Sequence, residues 1–268
     1  MSNILLYKIA CRVWRYVLAS VAICVAATAS AQHGHFDQTV LRMTVEGWHY
    51  QLRAGVNLGG MAPLPMPREI RSIESYNPLL NLYVEGRAEK LIGQTGFGVI
   101  MGFKLEQKGM KTDADVSNYY MEMTSDEGGY MEGNWTGHVS TKVRSSYVSV
   151  PIMLSYHISP RVMVAGGGYF SMKIGSDFSG TAYDGYLRNG NPTGERTEVD
   201  MAYYDFSSDM RQCHWGLQAG GEWKAYRNFS VTGEMTVGLN NIFPKGFRSV
   251  RFPLYPFYLN VGFAYNFR

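Results

Sequence analysis

Cysteine is scarce in this chain. Three occur in 268 residues, and Cys11 and Cys24 fall in an N-terminal stretch that reads as a removable leader. Cys213 is then alone, which excludes an intrachain disulfide framework. Excess charge of either sign is also missing. Of 25 Lys+Arg against 22 Asp+Glu, Lys8, Arg12 and Arg15 lie in the leader, leaving 22 bases against 22 acids. A strongly basic nucleic-acid binder is excluded on that balance. No apolar run near the length of a spanning helix follows the leader, which excludes a bundle of membrane-crossing helices. What is present is glycine, 30 residues, and 14% aromatics beside 46% hydrophobic residues. Many short strands account for that mixture better than helices do.

The leader has three parts. Residues 1–16 carry the bases, Val17 to Ala27 form an apolar stretch, and Thr28-Ala29-Ser30-Ala31 supplies an A-x-A cleavage site. The apolar stretch falls short of the roughly 20 residues a spanning helix needs, which argues against a membrane anchor. A lipoprotein signal at Cys24 is disfavoured by the bulky Ile23 before it. The expected organisation is a cleaved signal peptide over 1–31, a short periplasmic segment over 32–47 and one domain over 48–268.

Period-2 alternation recurs along that domain, as in strands with one apolar face. Tyr50, Leu52, Ala54, Val56 and Leu58 alternate with Gln51, Arg53, Gly55 and Asn57. Leu82, Val84 and Gly86 alternate with Tyr83, Glu85 and Arg87. Val99, Met101, Phe103 and Leu105 alternate with Gly102, Lys104 and Glu106. Val148 to Tyr156, a glycine-rich stretch near 161–174, Trp215 to Trp223, Phe229 to Leu239 and Phe257 to Phe267 complete eight segments.

One face of these segments is nearly free of charge, while the other carries Arg53, Glu85, Arg87, Lys104, Glu106, Glu222 and Glu234. That is the inverse of a soluble carrier barrel and fits strands with lipid on one side and a polar lumen on the other. Trp215 and Trp223 stand eight positions apart, roughly 26 Å along a strand, so the pair is expected to mark two aromatic girdles. Connection lengths agree. Glu89–Gly96, Ser159-Pro160 and Ala225–Asn228 are short; 59–78, 109–143, 175–210 and 240–254 are long. The expectation is therefore all-β: an eight-stranded antiparallel transmembrane β-barrel in the bacterial outer membrane, with short periplasmic turns and long extracellular loops.

Two stretches carry a resemblance. Tyr147-Val148-Ser149-Val150-Pro151-Ile152-Met153-Leu154 resembles the Tyr-Leu-Glu-Ile-Pro-Leu-Leu-Leu strand of Bacteroidetes outer-membrane β-barrel proteins of the PorT type, which are OmpA/OmpX-like barrels. Arg53-Ala54-Gly55-Val56-Asn57-Leu58 resembles their first strand. The resemblance covers about 48–267. It implies an integral envelope protein and, in one subgroup, an accessory of the type IX secretion system. Asn260-x-Gly262-x-x-Tyr265-x-Phe267 is similar to the signal read by the barrel assembly machinery, with the departure that Arg268 follows Phe267. The expected partners are outer-membrane lipid, that machinery and envelope or secretion proteins.

The chemistry that the sequence admits is limited. The lumen charges form either an ion path or a packed ion-pair plug, and an interior only just filled by side chains favours the plug. Ser155 and His157 share a strand face, but the sequence supplies no carboxylate to orient them. His49, His138 and His214 are isolated. No H-E-x-x-H or Cys/His cluster appears, so no metal is expected. Gly166-Gly167-Gly168 lacks the Gly-Lys-Ser/Thr of a phosphate loop, and no cofactor is expected. Asp113-x-Asp115 lacks the rest of a calcium loop. The outer connections are rich in acids and tyrosines, among them Tyr119, Tyr120, Tyr130, Tyr183, Tyr186, Tyr203 and Tyr204, a composition suited to protein contact. The leading expectation is a non-enzymatic barrel acting through those connections. A lipid-modifying enzyme using His157 or His214 and a narrow channel are the rivals.

Overall fold

A computed structural model describes residues 47–125, 129–189, 193–247, 249–250 and 252–267. The expected signal peptide and most of the 32–47 segment lie outside these. Apart from Gly47, the described residues all fall in the unit Trp48–Arg268.

Ten strands make up this unit: β1 (Trp48–Pro63), β2 (Ile70–Pro78), β3 (Asn81–Leu91), β4 (Phe97–Ser125), β5 (Tyr130–Ser159), β6 (Val162–Arg188), β7 (Arg196–Asp205), β8 (Cys213–Tyr226), β9 (Phe229–Gly238) and β10 (Leu254–Asn266). Eight of them form an antiparallel ring in the order β1-β3-β4-β5-β6-β8-β9-β10, and β10 returns to β1 from Gln51↔Asn266 to Pro63↔Leu254. As far out as Asn57↔Asn81 this closure leaves no strand edge within the ring, the condition for crossing lipid with strands. The two remaining strands come from outer connections: β2 adds to the outer half of β4, and β7 to that of β6.

Alternation places side chains as the sequence pattern requires. Leu52, Leu82, Val84, Phe103, Leu105, Leu154, Leu217, Met235 and Phe263 face outward and are exposed. Arg53, Glu85, Arg87, Lys104, Glu106, Ser149, Gln218, Thr232, Glu234 and Asn260 face inward and are buried. Large rings need room inside so narrow a barrel. Gly55 pairs with both Tyr83 and Gly262, and Tyr83 lies over the two glycines, so that a Cβ on Gly262 would come within 2.5 Å of the phenol oxygen.

The long outer connections are largely strand. β4 and β5 run 29 and 30 residues, far beyond the 9–11 or so that a spanning strand needs. They stay paired from Phe97↔Tyr156 to Thr124↔Tyr130. The described parts of the tyrosine-rich stretches 109–143 and 175–210 thus build a folded projection on the side opposite the short turns, the extracellular side by barrel topology. Bulges set its inner face. The shift between Val116 and Tyr119 turns Met121 and Met123 inward, and the one at Ile174 does the same for Phe178 and Ala182.

Candidate functional site

Inside the membrane-level ring, two ion-pair clusters stack. In the lower one, Glu234 on β9 receives both outer nitrogens of the Arg87 guanidinium, each at 2.7 Å, and Arg53 Nη1 also at 2.7 Å. Arg87 Nε bonds Glu85, and Gln218 Nε2 donates to Glu234 at 2.8 Å. Two guanidinium groups and two carboxylates balance, and the bidentate fork is the geometry in which a buried pair best offsets its desolvation.

In the upper cluster Glu106 lies 3.0 Å from Lys104 and 2.9 Å from Lys108, and takes a 2.6 Å bond from Ser149. Two cations thus face one carboxylate, and rings carry the remainder. Lys108 Nζ sits 5.0 to 5.7 Å from the centroids of Tyr147, Tyr169 and Tyr258, and Lys104 Nζ 4.6 Å from Tyr83. Lys104 also donates to Asn260 at 3.0 Å.

Of the charged residues expected in the lumen, Glu222 differs in its partner. Among the described residues it joins neither cluster; Gln51 donates two 3.0 Å bonds to it near the periplasmic end. Two participants escaped the sequence reading. Lys108 continues the parity of Lys104 and Glu106, and Glu89 that of Glu85 and Arg87, so extending the alternation by one step finds both.

Glu89 also changes the reading of Ser155 and His157. A carboxylate is in reach after all: Ser155 Oγ donates to Glu89 Oε1 at 2.5 Å, and His157 Nε2 lies 2.9 Å from the same oxygen. The two groups converge on one carboxylate oxygen. A nucleophile relay needs the hydroxyl on the imidazole and the imidazole's other nitrogen on the acid, which this arrangement does not supply. His214 is buried elsewhere, with Nε2 3.1 Å from the Arg211 carbonyl and its ring edge-on to Tyr147. No group of three His, Cys, Asp or Glu side chains able to hold a metal occurs among the described residues.

The residues of the last-strand motif divide between faces. Asn260 and Gly262 point inward, while Tyr265 and Phe267 are exposed on the outer face near the short turns. Trp215 and Trp223 are also outward, each about half exposed, at opposite ends of the β8 crossing.

The projection is built the other way round. Its interior is apolar, with Met110, Val116, Met121, Trp135, Val143, Phe178, Tyr204 and Phe206 in one continuous cluster. Burial raises the Tyr204 phenol above its ordinary pKa, opposed by its 2.6 Å bond with Thr141. Its outer surface carries Lys111, Asp113, Asp115, Lys142 and Arg144 among exposed tyrosines. Tyr186 packs under Arg196, 4.0 Å from its centroid, and Arg188 at 5.3 Å.

The family model of an outer membrane protein beta-barrel domain matches residues 31–244, most of the chain. The chain belongs to that family. Two solved structures are similar to this chain. One is Ail, the attachment invasion locus protein of Yersinia pestis, in complex with the heparin analogue sucrose octasulfate. It is 10% identical, with a TM-score of 0.35, covering 82% of this chain and 97% of that one. The other is Neisserial surface protein A, 10% identical with a TM-score of 0.34, covering 83% and 98%. The comparison with curated proteins gives no match. The barrel is an outer-membrane protein, and its inward charges are paired within the ring.

Proposed function

We propose that this barrel is a non-enzymatic anchor that holds a preformed β-projection above the outer membrane for contact with other envelope proteins. The supporting observation is the contrast between a lumen lined by paired, buried charges and an outer half in which six strands, β1, β4, β5, β6, β7 and β10, contribute to one apolar core. Rigid aromatic surface on a fixed scaffold is suited to recognition. On the resemblance to PorT-type barrels, the partner class is the type IX secretion machinery. The outward Trp215 and Trp223 serve as girdle anchors, and the Asn260, Gly262, Tyr265 and Phe267 spacing serves as the assembly signal.

The test is a mild-detergent purification from native membranes with an affinity tag in the β6–β7 connection. Stoichiometric envelope proteins are expected, and their loss on replacing exposed Tyr130 and Tyr203 by Ser would place the contact. A barrel recovered alone from intact membranes overturns the reading.

A second reading has one observation in its favour, the convergence of Ser155 and His157 on Glu89. Under it, Ser155→Ala abolishes a lipid change seen in wild-type membranes; identical lipids in the deletion strain eliminate it.

A further inference from the structure

The ring does not stay closed to its outer end. β1 pairs with β3 only up to Asn57↔Asn81. Beyond that point β1 continues to Pro63 with β10 on one side alone, and β2 rises beside it bonded only to β4. No ladder joins β1 to β2 among the described residues. Side-chain amides finish the closed part: Asn81 Nδ2 donates to the carbonyls of Leu79 and Gly109, each at 2.9 Å, and Asn57 Nδ2 to that of Gln107 at 2.8 Å. Above these amides β1 and β2 meet at a seam bridged by side chains rather than by a backbone ladder: Tyr76 and Met110 pack on Gly60, and Met61 N–H donates to Met110 Sδ at 3.2 Å.

Behind the seam is a cavity of about 590 Å³, within the range of small-molecule pockets. Its walls are hydrocarbon: Met61, Met110, Ala114, Val116 and Met121 line it from β1 and β4, with Phe178 from β6. Methionines make such a wall adaptable in shape. Polar groups are few, and Thr112 Oγ1 has no hydrogen-bond partner among the described residues. An apolar space of this size gains nothing from water and favours an apolar guest.

The position of the mouth indicates where the guest comes from. Leu64, Met66, Ile73 and Tyr76 line the cavity and are exposed. So does Phe257, from the outward, lipid-facing row of β10, near the outer end of the crossing. Just below the seam, Leu58, Leu80 and Leu82 are exposed on the same outer wall. Apolar residues of the mouth therefore stand next to those of the lipid face, with exposed Glu74, Ser75 and Asn77 interspersed along β2.

We propose that the cavity is an acyl-chain site: one hydrocarbon tail of an outer-leaflet lipid enters sideways between β1 and β2 and lies along the methionine-lined wall. This goes beyond the partner-contact reading and stands independently of it. A lipid tail and a free fatty acid share the same chemistry; the mouth's position just above the lipid-facing Leu58, Leu80 and Phe257 selects the membrane lipid, whose tail would rise out of the leaflet to enter.

The experiment reconstitutes the whole mature chain in nanodiscs. One arm contains phosphatidylcholine with a photoreactive diazirine near the methyl end of one acyl chain. The other adds the matching free fatty acid to discs of plain lipid. After illumination, mass spectrometry locates the adducts. Adducts on Met61, Met110 and Met121 from the phospholipid arm are expected, falling about tenfold in Ala114→Phe, which fills the cavity. Ile73→Glu, which charges the exposed mouth without touching the core, is expected to act alike, while labelling of Leu82 and Phe103 on the outer wall persists in both. Adducts confined to the outer wall overturn the site. Cavity adducts from the fatty acid arm alone overturn sideways entry, and undiminished cavity adducts in both variants overturn the assignment of the cavity.

Discussion

Strand β4 crosses two environments without changing its parity until Val116. From Gly98 to Val116 the even-numbered residues point inward throughout, yet the chemistry of the two faces exchanges near Lys108. Below that level Lys104, Glu106 and Lys108 are inside while Met101, Phe103 and Leu105 are outside. Above it Met110, Ala114 and Val116 are inside, and Lys111, Asp113 and Asp115 are outside. β5 repeats the exchange, with Ser149 and Ser155 inside and Ile152 and Leu154 outside below, but Val139 and Val143 inside and Lys142 and Arg144 outside above. Backbone pairing runs on through both levels. The comparison teaches that one continuous sheet adopts membrane or water-soluble chemistry according to the solvent on its outer face.

If the lower region is held by charge and the upper by apolar packing, the two should fail differently. The largest expected effect is in the lower region. Glu234→Ala leaves Arg53 and Arg87 sharing only Glu85, and removing one partner from a buried ion cluster costs about 3–5 kcal/mol. The folded barrel's altered gel mobility is expected to be lost at distinctly lower urea or temperature. A variant as resistant as wild type would mean that the cluster fills space without holding the ring. A smaller effect, and a local one, is expected above. Met121→Ala removes a fully buried side chain from the projection core, at a cost of about 2–5 kcal/mol, toward the low end where neighbouring methionines close the gap. Proteolysis should then reach the β4–β5 hairpin beyond residue 109 while the membrane ring keeps its gel mobility. Simultaneous loss of both would show the two regions to be one cooperative unit.

The division also explains which parts were legible in the sequence. Lipid-facing rows and charged inward rows announced the ring, because period-2 alternation and the choice of solvent coincide there. In Met110-Lys111-Thr112-Asp113-Ala114-Asp115-Val116 the same alternation continues with its polarity reversed. Judged by the membrane rule, that reversal reads as the end of a strand, so the projection passed for loop. The ion-pair clusters were legible only as a face. Glu234 meets Arg53 and Arg87 across sequence separations of 181 and 147 residues, and alternation fixes the side a residue faces but not its height along the barrel. Height depends on the stagger between strands, which no single segment encodes. The seam was hidden for a related reason. It arises because β3 begins at Asn81 while β1 runs on to Pro63, a mismatch visible only once the ladder is known.

The finest test of the comparison concerns charge on the outer face of the projection, where water should make it nearly dispensable. Asp113 accepts hydrogen bonds from Ser140 and from Ser75, the latter at 2.6 Å, and so bridges β5 to the edge strand β2; these bonds, with Lys111 nearby, hold its pKa below the ordinary value. Glu74, 3.3 Å from His138, shares that surface. A carboxylate whose pKa is lower folded than unfolded stabilises the folded form at pH above its unfolded value, about 3.9. That contribution is lost as pH falls through the lower, folded value. β2 should therefore hold steady between neutrality and about pH 5 and loosen in acid below about pH 4. A fluorophore on Ser72→Cys, in a Cys213→Ser background, reports that loosening, and Asp113→Asn should flatten the acid response while barely altering the signal at neutral pH. Because the group is largely exposed, the change should be well below that from Met121→Ala. An acid response as large in Asp113→Asn as in the parent would show that β2 is not held at this surface by the charge that its serine bonds indicate.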